Sequence, residues 1–555
     1  MISPESQSNI PAMAQAGDPA SRARAPWLPL VAAAAACLLY LGSELYVFSG
    51  GLGLPLDDSW IHLHFARQLA SGAGLSYNPE RWIAGSTAPL WTAMLALAFT
   101  LPGGILPWVK LLGTAFFLTA VHATDRLAAE LGLGRGLRLL AAMLVATTHS
   151  LVWSALAGME ITLFATLSLW GIILHLRERA SPERVPLSLP VLALATLARP
   201  EGWLLLAAAL VDRRLRFERT AAGLRLAIGL RSAGRRHALW QRVLDGLVPA
   251  ALVVGPTLIF YRVIGDSFLP TTFAVKSAPL ADLIPSGRYL RAVVDVVFRS
   301  QPVMLLLAGA GVLRLVARLG SARDRGLLPA LWPLGLAFAY SLLAPNDGPV
   351  VVGNFGRYYF PLLPVVVILG ALGLEQAVAR PPLVLGGRRL PLRAVLVVLL
   401  MAPQLWGLAV GSGFYTQTIA NVEDTDVGAA RWLAGRLPPD ALLAVQDIGA
   451  VKYFLPNPVV DLTGIVNPEI LPSLRGAGPE DPVYWEDRLL GFLEQVRPAY
   501  LVVFPTSYPQ LTRRPGFERI RGFPVRGENL AMAGRELVVF STPWTSQPLR
   551  LQPSG

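Results

Sequence analysis

Long apolar segments constrain the fold of this chain more than any other feature of its sequence. The first, residues 27–48, has roughly the twenty residues that a helix needs to cross a bilayer. It lacks a small-residue cleavage site, which favours a signal anchor over a removed signal peptide. Of the 555 residues, 53% are hydrophobic and only 15% are charged, whereas roughly a quarter of a soluble domain is charged. The sequence therefore predicts a mainly α, polytopic bundle of transmembrane helices.

Basic residues are concentrated in one loop between these segments. Residues 212–242 contain nine arginines and only two acids, Asp212 and Glu218, so this loop carries +7 of the formal net charge of +12. Arginines beside hydrophobic segments mark the cytoplasmic side of a membrane protein, and this distribution argues against nucleic acid as a partner. Cys37 is the only cysteine, so neither a disulfide nor a thiolate metal site is expected.

The arginine-rich loops give a topology when all of them are placed in the cytoplasm. Residues 1–26 are polar and rich in Ser, Pro and Ala, which predicts a disordered cytoplasmic N-terminus. About eleven crossings follow, and the C-terminal part of the chain then lies outside. The predicted spans are residues 27–48, 105–123, 138–156, 161–176, 187–197, 203–211, 247–263, 293–316, 328–343, 360–374 and 394–410.

One further apolar segment, residues 88–100, is short for a crossing and would break this alternation. We therefore interpret it as a juxtamembrane or re-entrant helix on the outer side. This assignment places charged residues from four separate loops on the same side of the membrane. They are Asp57, Asp58, Glu160, Lys276 and Arg357.

The sequence loses its membrane character near residue 414. A helical pattern over residues 426–437 is followed by apolar runs that alternate with polar turns containing Pro and Gly. This pattern predicts an extracytoplasmic α/β domain of ordinary size over residues 414–555. Residues 27–413 then form the membrane domain, with a first outer loop at 49–104. The apolar runs of the outer domain are residues 441–445, 459–462, 500–504 and 537–540.

Two adjacent acids, Asp57 and Asp58, open a helix directly after the first span. Keeping two neighbouring carboxylates at the edge of a hydrocarbon layer is unfavourable, so they indicate a functional site. Helical spacing places His62 one turn from Asp58, and a hydrogen bond between these two would leave Asp57 free for a substrate hydroxyl. The alternative is an acidic N-cap, which explains one acid better than two.

Four other charged positions are candidates for the same site, and each has a structural alternative. Glu160 starts a span, where an acid stabilises the helix dipole. Arg357 lies between aromatic residues that suit the membrane interface, where a long basic side chain anchors a helix. Arg199 and Glu201 flank Pro200 at the tip of a hairpin and are expected to pair with each other, although a broken helix at membrane depth often lines a cavity.

Carboxylates that deprotonate an alcohol and cations that hold a phosphate are what sugar transfer from a lipid-phosphate donor needs. The motifs that surround these residues are DDSWIH at 57–62, GAGLSYNPER at 72–81, GSTAPLW at 85–91, GME at 158–160, RPEG at 199–202, GRYY at 356–359, QDIG at 446–449 and VDLTG at 460–464. They resemble the GT-C superfamily of polytopic membrane glycosyltransferases. More narrowly, they are similar to the bacterial branch that includes the terminal arabinofuranosyltransferases of mycobacterial cell walls.

The resemblance implies an inverting transfer of a sugar from a polyprenyl-phosphate carrier to an extracytoplasmic hydroxyl acceptor, which is a cell-envelope glycan, a glycolipid or a glycoprotein. It places the chain in a bacterial inner membrane. It makes Asp57 the general base, Asp58 its partner or a sugar ligand, and Glu160 a second acid. Arg357 and Lys276 would neutralise the phosphate leaving group, where charge develops. Further candidate substrate-binding residues are His62, Arg67, Arg81, Arg199 and Glu201.

The sequence requires no cofactor, but a divalent metal held by the oxygens of Asp57, Asp58 and Glu160 stays open, because some relatives use one and others do not. Two other functions also stay open. A transporter or flippase of lipid-linked sugars would use the same acids for ion coupling, although no inverted repeat is evident. A non-catalytic membrane anchor would present residues 414–555 to a partner.

Overall fold

α-Helices dominate the fold, which is given by a computed structural model. The structure describes residues 27–79, 81–181, 184–220, 223–228, 236–272, 287–321, 324–343, 356–378, 383–385, 388–390, 392–474, 482–546 and 549. The α-helices are α1 (Trp27–Val47), α2 (Asp57–Ala70), α3 (Pro89–Ala98), α4 (Ile105–Glu130), α5 (Arg135–Ala146), α6 (His149–Leu156), α7 (Ile161–Ala180), α8 (Ser188–Ala198), α9 (Gly202–Arg214), α10 (Arg236–Gly265), α11 (Gly287–Ser300), α12 (Pro302–Ala317), α13 (Leu328–Leu343), α14 (Leu363–Val378), α15 (Leu392–Val422), α16 (Gly428–Leu433), α17 (Ile448–Phe454), α18 (Leu471–Leu474) and α19 (Pro482–Val496).

Most of the strands lie in the C-terminal part of the chain. β5, β6 and β7 are parallel, β9 pairs antiparallel with β7, and β8 forms the edge, so the order is β6-β5-β7-β9-β8. Two short hairpins, β1–β2 and β3–β4, lie between helices of the membrane domain. The strands are β1 (Leu215–Thr220), β2 (Gly223–Ile228), β3 (Leu383–Leu385), β4 (Arg388–Leu390), β5 (Leu443–Val445), β6 (Val459–Asp461), β7 (Tyr500–Val503), β8 (Glu518–Pro524) and β9 (Glu536–Ser541).

The helices between α1 and α15 form a membrane bundle. Within the described residues, five helices are long and apolar enough to cross a bilayer, and two bent helix pairs raise this number to seven. Shorter apolar helices, among them α3 and α8, pack into the same bundle. The chain is therefore a multi-pass membrane protein. The eleven spans stay a prediction, and the predicted disordered segment 1–26 lies outside the described residues.

Bends interrupt two of the predicted spans. Residues 138–156 form α5 and α6, which meet at 53°, and residues 293–316 form the end of α11 and most of α12, which meet at 112°. The second bend contradicts a single continuous span. Pro302 has no N–H with which to continue α11, and its fixed φ suits the first turn of α12 instead. The predicted apolar segment 88–100 contains α3, whose ten residues make a helix only about 15 Å long.

The C-terminal sheet, which the sequence predicts to lie in the outer domain, shares one apolar core with the predicted first outer loop. Ile61 and Phe65 of α2, together with Tyr77 and Ile83, are buried with residues of β5, β7 and β9. The other face of the sheet packs against α19 in a separate cluster. In addition, α15 continues through residue 414, where we predicted the domain boundary. The outer domain is therefore built onto the membrane domain by a continuous helix and by a common core.

Close packing of α12 against α14 depends on glycine. A methyl group on Gly311 would overlap the carbonyl oxygen of Leu369, and one on Gly370 would lie 2.6 Å from the carbonyl oxygen of Met304. We expect Gly311→Ala to destabilise the chain by about 1–3 kcal/mol, because the helices must move apart. The measurement is the Tm of the detergent-solubilised protein. Gly309→Ala on the same helix is the control, because a methyl group at Gly309 has no atom within 4 Å. If Gly309→Ala lowered Tm as much as Gly311→Ala, this explanation would be contradicted.

Candidate active site

Helix α2 carries the acidic pair and is held against the turn that precedes α7. Ser59 Oγ donates a hydrogen bond of 2.6 Å to Ala157 O, and Trp91 Nε1 donates one of 3.0 Å to Gly158 O. Gly158 has a φ of 77°, which glycine adopts without strain. The turn therefore brings Glu160, at the start of α7, next to the acidic end of α2.

Asp57 is bound to the outer domain. Its two carboxylate oxygens accept hydrogen bonds of 2.7 Å from the main-chain N–H groups of Gly449 and Ala450, at the start of α17. Burial raises the pKa of Asp57 to about 7, the two N–H groups oppose this shift, and the charges of Asp58 and Asp461 add to it. Because both oxygens are engaged, this acid is not free for a substrate hydroxyl in the way that we predicted.

Asp58 forms an ion pair with Arg357, which directly precedes the turn that leads into α14. The side chain of Asp58 is 29% exposed, whereas that of Arg357 is 3% exposed. Arg357 also lies 5.5 Å from the centre of the Tyr358 ring. Two of its nitrogens, Nε and Nη1, are buried and have no hydrogen-bond partner within the described residues. The structure thus joins a partly accessible acid to a buried cation that has spare donors.

Glu160 is the centre of a second group of charges. Arg199 Nη1 donates a hydrogen bond of 2.6 Å to Glu160 Oε1, and His62 Nε2 lies 3.3 Å from Glu160 Oε2. The predicted contact of His62 with Asp58 is therefore wrong, because a carboxylate from another helix is its partner instead. Oε2 itself is buried and accepts no hydrogen bond within the described residues.

The tip of the α8–α9 hairpin belongs to this second group. Arg199 Nη2 donates a hydrogen bond of 2.7 Å to Glu201 Oε1, which confirms the expected pairing. Tyr340 Oη donates a further hydrogen bond of 2.6 Å to the same oxygen. The guanidinium of Arg199 lies 5.1 Å from the centre of the Tyr358 ring, which Arg357 also approaches. Arg199 therefore links the hairpin, α7 and the segment before α14.

The remaining predicted site residues lie elsewhere or are not described. Arg67 stacks over the ring of Tyr453 at 4.5 Å, on the side of α2 that faces the outer domain. Arg81 forms an ion pair with Glu469 at the protein surface, where both side chains are 48% exposed. These two arginines thus join the first outer loop to the outer domain. Lys276 lies outside the described residues.

A buried ion pair between Lys110 and Glu44 contacts the chain next to the site. We did not predict this pair from the sequence. Lys110 Nζ lies 3.0 Å from Glu44 Oε2 and donates hydrogen bonds to Gly53 O at 2.9 Å and to Tyr415 Oη at 2.6 Å. It also lies 3.4 Å from Leu156 O. Lys110 therefore holds the chain just before α2 and the chain just before Glu160. The signal in the sequence is a single Lys and a single Glu inside predicted spans, where ionisable residues are rare.

The contact at Asp57 predicts a dependence of stability on pH. Burial, with the charges of Asp57, Asp58 and Asp461, also raises the pKa of Asp447. The native pKa of Asp57, about 7, lies above the unfolded value of about 3.9. The native state therefore binds more protons between these values, and the free energy of unfolding falls as pH rises from about 4 to about 7.

We expect Tm to decrease between pH 5 and pH 7.5, and Asp447→Asn to reduce this decrease, because it removes one buried carboxylate and keeps a good N-cap residue. The measurement is tryptophan fluorescence during heating of the detergent-solubilised protein. Asp266→Asn, at an exposed position, is the control. A Tm that rises over this pH range would contradict the expected sign.

The predicted metal ligands do not fit a divalent ion. Both oxygens of Asp57 accept N–H groups, Asp58 pairs with Arg357, and Glu160 pairs with Arg199. Among the described residues, no three His, Cys, Asp or Glu side chains are arranged so that they could hold a metal ion. These acids therefore already have cationic or N–H partners from the same chain.

The arrangement of the helices is similar to that of solved membrane glycosyltransferases. The oligosaccharyltransferase of Archaeoglobus fulgidus, tethered with an acceptor peptide, matches with a TM-score of 0.55 and 12% identity over 94% of this chain and 77% of that chain. ArnT from Cupriavidus metallidurans, in the apo state, matches with a TM-score of 0.52 and 14% identity over 94% and 99%. The chain has the GT-C fold. The predicted fold class is thereby confirmed, whereas the mycobacterial branch stays a prediction.

Three further comparisons concern a family model, the curated protein sequences and a second structure of the archaeal oligosaccharyltransferase. Residues 417–540 match a family model described as a domain of unknown function (DUF8728), which covers most of the outer domain appended to the GT-C bundle. No curated protein sequence matches the chain significantly. A second structure of the Archaeoglobus fulgidus oligosaccharyltransferase, in complex with Zn and sulfate, has a TM-score of 0.53 and 13% identity over 85% of this chain and 67% of that chain.

Proposed function

We propose that the chain is a membrane glycosyltransferase that moves a sugar from a polyprenyl-phosphate donor to a hydroxyl group of an extracytoplasmic acceptor, with inversion at the sugar carbon. The observation that carries this proposal is the contact between Asp58 and Arg357. Arg357 lies at the same Tyr358 ring as Arg199, which holds Glu160. The contact between Asp58 and Arg357 combines a partly accessible carboxylate with a buried cation. The GT-C fold that the chain shares with an oligosaccharyltransferase and with ArnT supports the same class of reaction.

We assign the role of general base to Asp58 rather than to Asp57. Asp58 is partly exposed, whereas both oxygens of Asp57 accept main-chain N–H groups. In the proposed step, Asp58 takes the proton of the acceptor hydroxyl while the acceptor oxygen forms a bond to the sugar carbon. The bond between that carbon and the phosphate oxygen breaks, and the lipid phosphate leaves with the electron pair.

Arg357 is the proposed partner of the donor phosphate. A guanidinium donates charge-assisted hydrogen bonds to phosphate oxygens, and Nε and Nη1 of Arg357 are each buried without a hydrogen-bond partner within the described residues. Buried donors of this kind are rare in native structures. The negative charge on the phosphate grows as the sugar bond breaks, so Arg357 stabilises the transition state more than the bound donor. Lys276 remains a proposed second cation.

Glu160 and His62 are the proposed partners of the sugar hydroxyls. His62 Nδ1 is buried and has no hydrogen-bond partner within the described residues, and the buried Glu160 Oε2 has there only the 3.3 Å contact with His62 Nε2. A sugar hydroxyl both donates and accepts hydrogen bonds, so it can satisfy either atom. Arg199 holds the other oxygen of Glu160 and thereby fixes the orientation of this carboxylate.

The test is a transfer assay with the full chain reconstituted in liposomes and supplied with labelled polyprenyl-phosphate sugars and cell-envelope acceptors. We expect a new glycosidic bond, of inverted configuration, between the labelled sugar and an acceptor. Movement of the label across the bilayer without a new bond would instead indicate a transporter. Capture of a partner by the chain, with neither transfer nor transport, would indicate an anchor.

A further inference from the structure

Arginines of the chain itself form ion pairs with three acids of the candidate site. Arg199 lies 2.6 Å from Glu160 and 2.7 Å from Glu201, and Arg357 pairs with Asp58. The side chains of Arg199, Glu160 and Glu201 are each no more than 6% exposed. Among the described residues, each of these three carboxylates is thus paired with a guanidinium of the same chain.

A divalent cation among these acids would meet two obstacles. Mg²⁺ and Ca²⁺ bind proteins through free carboxylate and carbonyl oxygens, with water and substrate phosphates as further ligands. Both carboxylate oxygens of Asp57 and one oxygen of Glu160 already accept hydrogen bonds. In addition, the ion would lie next to two buried guanidinium groups, which repel it in a medium of low dielectric constant.

We propose that the glycosyl transfer at this site needs no divalent metal, because Arg357 and Arg199 supply the positive charge. This inference rests on the proposed function. Arg357 contacts the donor phosphate and counters the charge that develops there. Arg199 is a positioning residue, which holds Glu160 and Glu201 and thereby orients the sugar. A guanidinium keeps its charge at every physiological pH, so this electrostatic arrangement is permanent. A solved structure with the GT-C fold, in contrast, is a complex with zinc.

The first experiment measures metal binding and metal dependence in the full-length protein. The purified protein is treated with EDTA and desalted, and its metal content, its Tm with and without Mg²⁺, Ca²⁺, Mn²⁺ or Zn²⁺, and its transfer rate are measured. We expect substoichiometric metal and an unchanged Tm, since a site bound only in the native state would raise Tm. The transfer rate with EDTA should stay within about twofold of the untreated rate.

One bound ion per chain, together with a metal-dependent rise in Tm, would overturn the inference. So would a more than tenfold loss of transfer in EDTA that one metal restores. If no sugar transfer occurs under any condition, the proposed function fails. Metal content and Tm then still decide whether the site holds a metal, so the two failures are distinguishable.

The second experiment tests Arg199 as a positioning residue. We expect Arg199→Met to lower kcat roughly 10²–10³-fold, as does loss of a preorganised charged group, with little change in KM for the donor. Arg199→Lys keeps a cation and should lose less. Arg262→Met, which breaks an exposed pair with Asp266, is the matched control. An Arg199→Met protein that folds and keeps its kcat, or that divalent metal restores, would overturn the assignment.

Discussion

Asp58→Asn is expected to lower kcat for sugar transfer by roughly 10²–10⁴-fold, which is the usual contribution of a general base. Asparagine has nearly the same shape and still accepts a hydrogen bond from Arg357, so the fold should persist. The loss should therefore appear mainly in kcat, with a fall in Tm because the charge of the buried Arg357 is no longer compensated. The measurement is the initial rate of labelled sugar transfer in liposomes, with Tm recorded on the same preparation.

Two variants make this result specific. Asp57→Asn tests the neighbouring acid, whose proposed role is to bind α17, and we expect a lower Tm with a smaller loss of kcat. Asp266→Asn removes an exposed carboxylate and should change neither quantity. If Asp57→Asn loses more kcat than Asp58→Asn at an unchanged Tm, the base is Asp57, as the sequence motif implied.

Gly449→Ala is expected to detach the outer domain from the acidic end of α2. A methyl group on Gly449 would overlap the main-chain oxygen of Asp57 and lie 2.8 Å from both of its carboxylate oxygens. The main-chain atoms of α2 cannot yield, because α2 is anchored to the turn before Glu160 by Ser59. Forced separation should destabilise the chain by about 1–3 kcal/mol or more. Transfer should fall at least tenfold, since small displacements of a catalytic group have large effects.

The measurements are Tm and limited proteolysis of the outer domain, together with the transfer rate. Gly491→Ala in α19 meets nothing within 4 Å and should resist proteolysis as the unchanged protein does. A Gly449→Ala protein with normal proteolytic resistance and a normal transfer rate would contradict the proposed coupling between the outer domain and the site.

Local sequence patterns predicted the elements of this fold well. The apolar runs at 459–462 and 500–504 coincide with β6 and β7 within one residue. A buried strand can be predicted in this way because its own short apolar sequence distinguishes it from the polar turns on either side. The run at 293–316 was less informative. Hydropathy is continuous across Gln301 and Pro302, so it predicted one span, whereas the missing N–H of Pro302 ends α11. A stronger weight on proline would have revealed the bend.

The contacts between side chains in the site depend on long-range packing, which local sequence patterns do not predict. Spacing along α2 predicted a contact of His62 with Asp58, but His62 faces Glu160, which is held nearby by the Ser59 contact. The partners of Asp57 are main-chain N–H groups of the outer domain, and any residue can supply such a group. The Lys110–Glu44 pair was visible in the sequence as two isolated charges, but their helices could not be matched without a structure.

The shared core of α2 and the outer sheet also sets the timing of assembly. Asp57 and Gly449 are 392 residues apart, so at roughly 5–20 residues per second translation needs about 20–80 s to supply the partner. Until then the apolar surfaces of Phe65 and Tyr77 have no sheet to cover them. The nascent chain therefore exposes an aggregation-prone surface for a period that ribosome speed determines. Slow codons between those for Asp57 and Gly449 would lengthen the time during which this surface needs a chaperone to cover it. The folded protein would be the same.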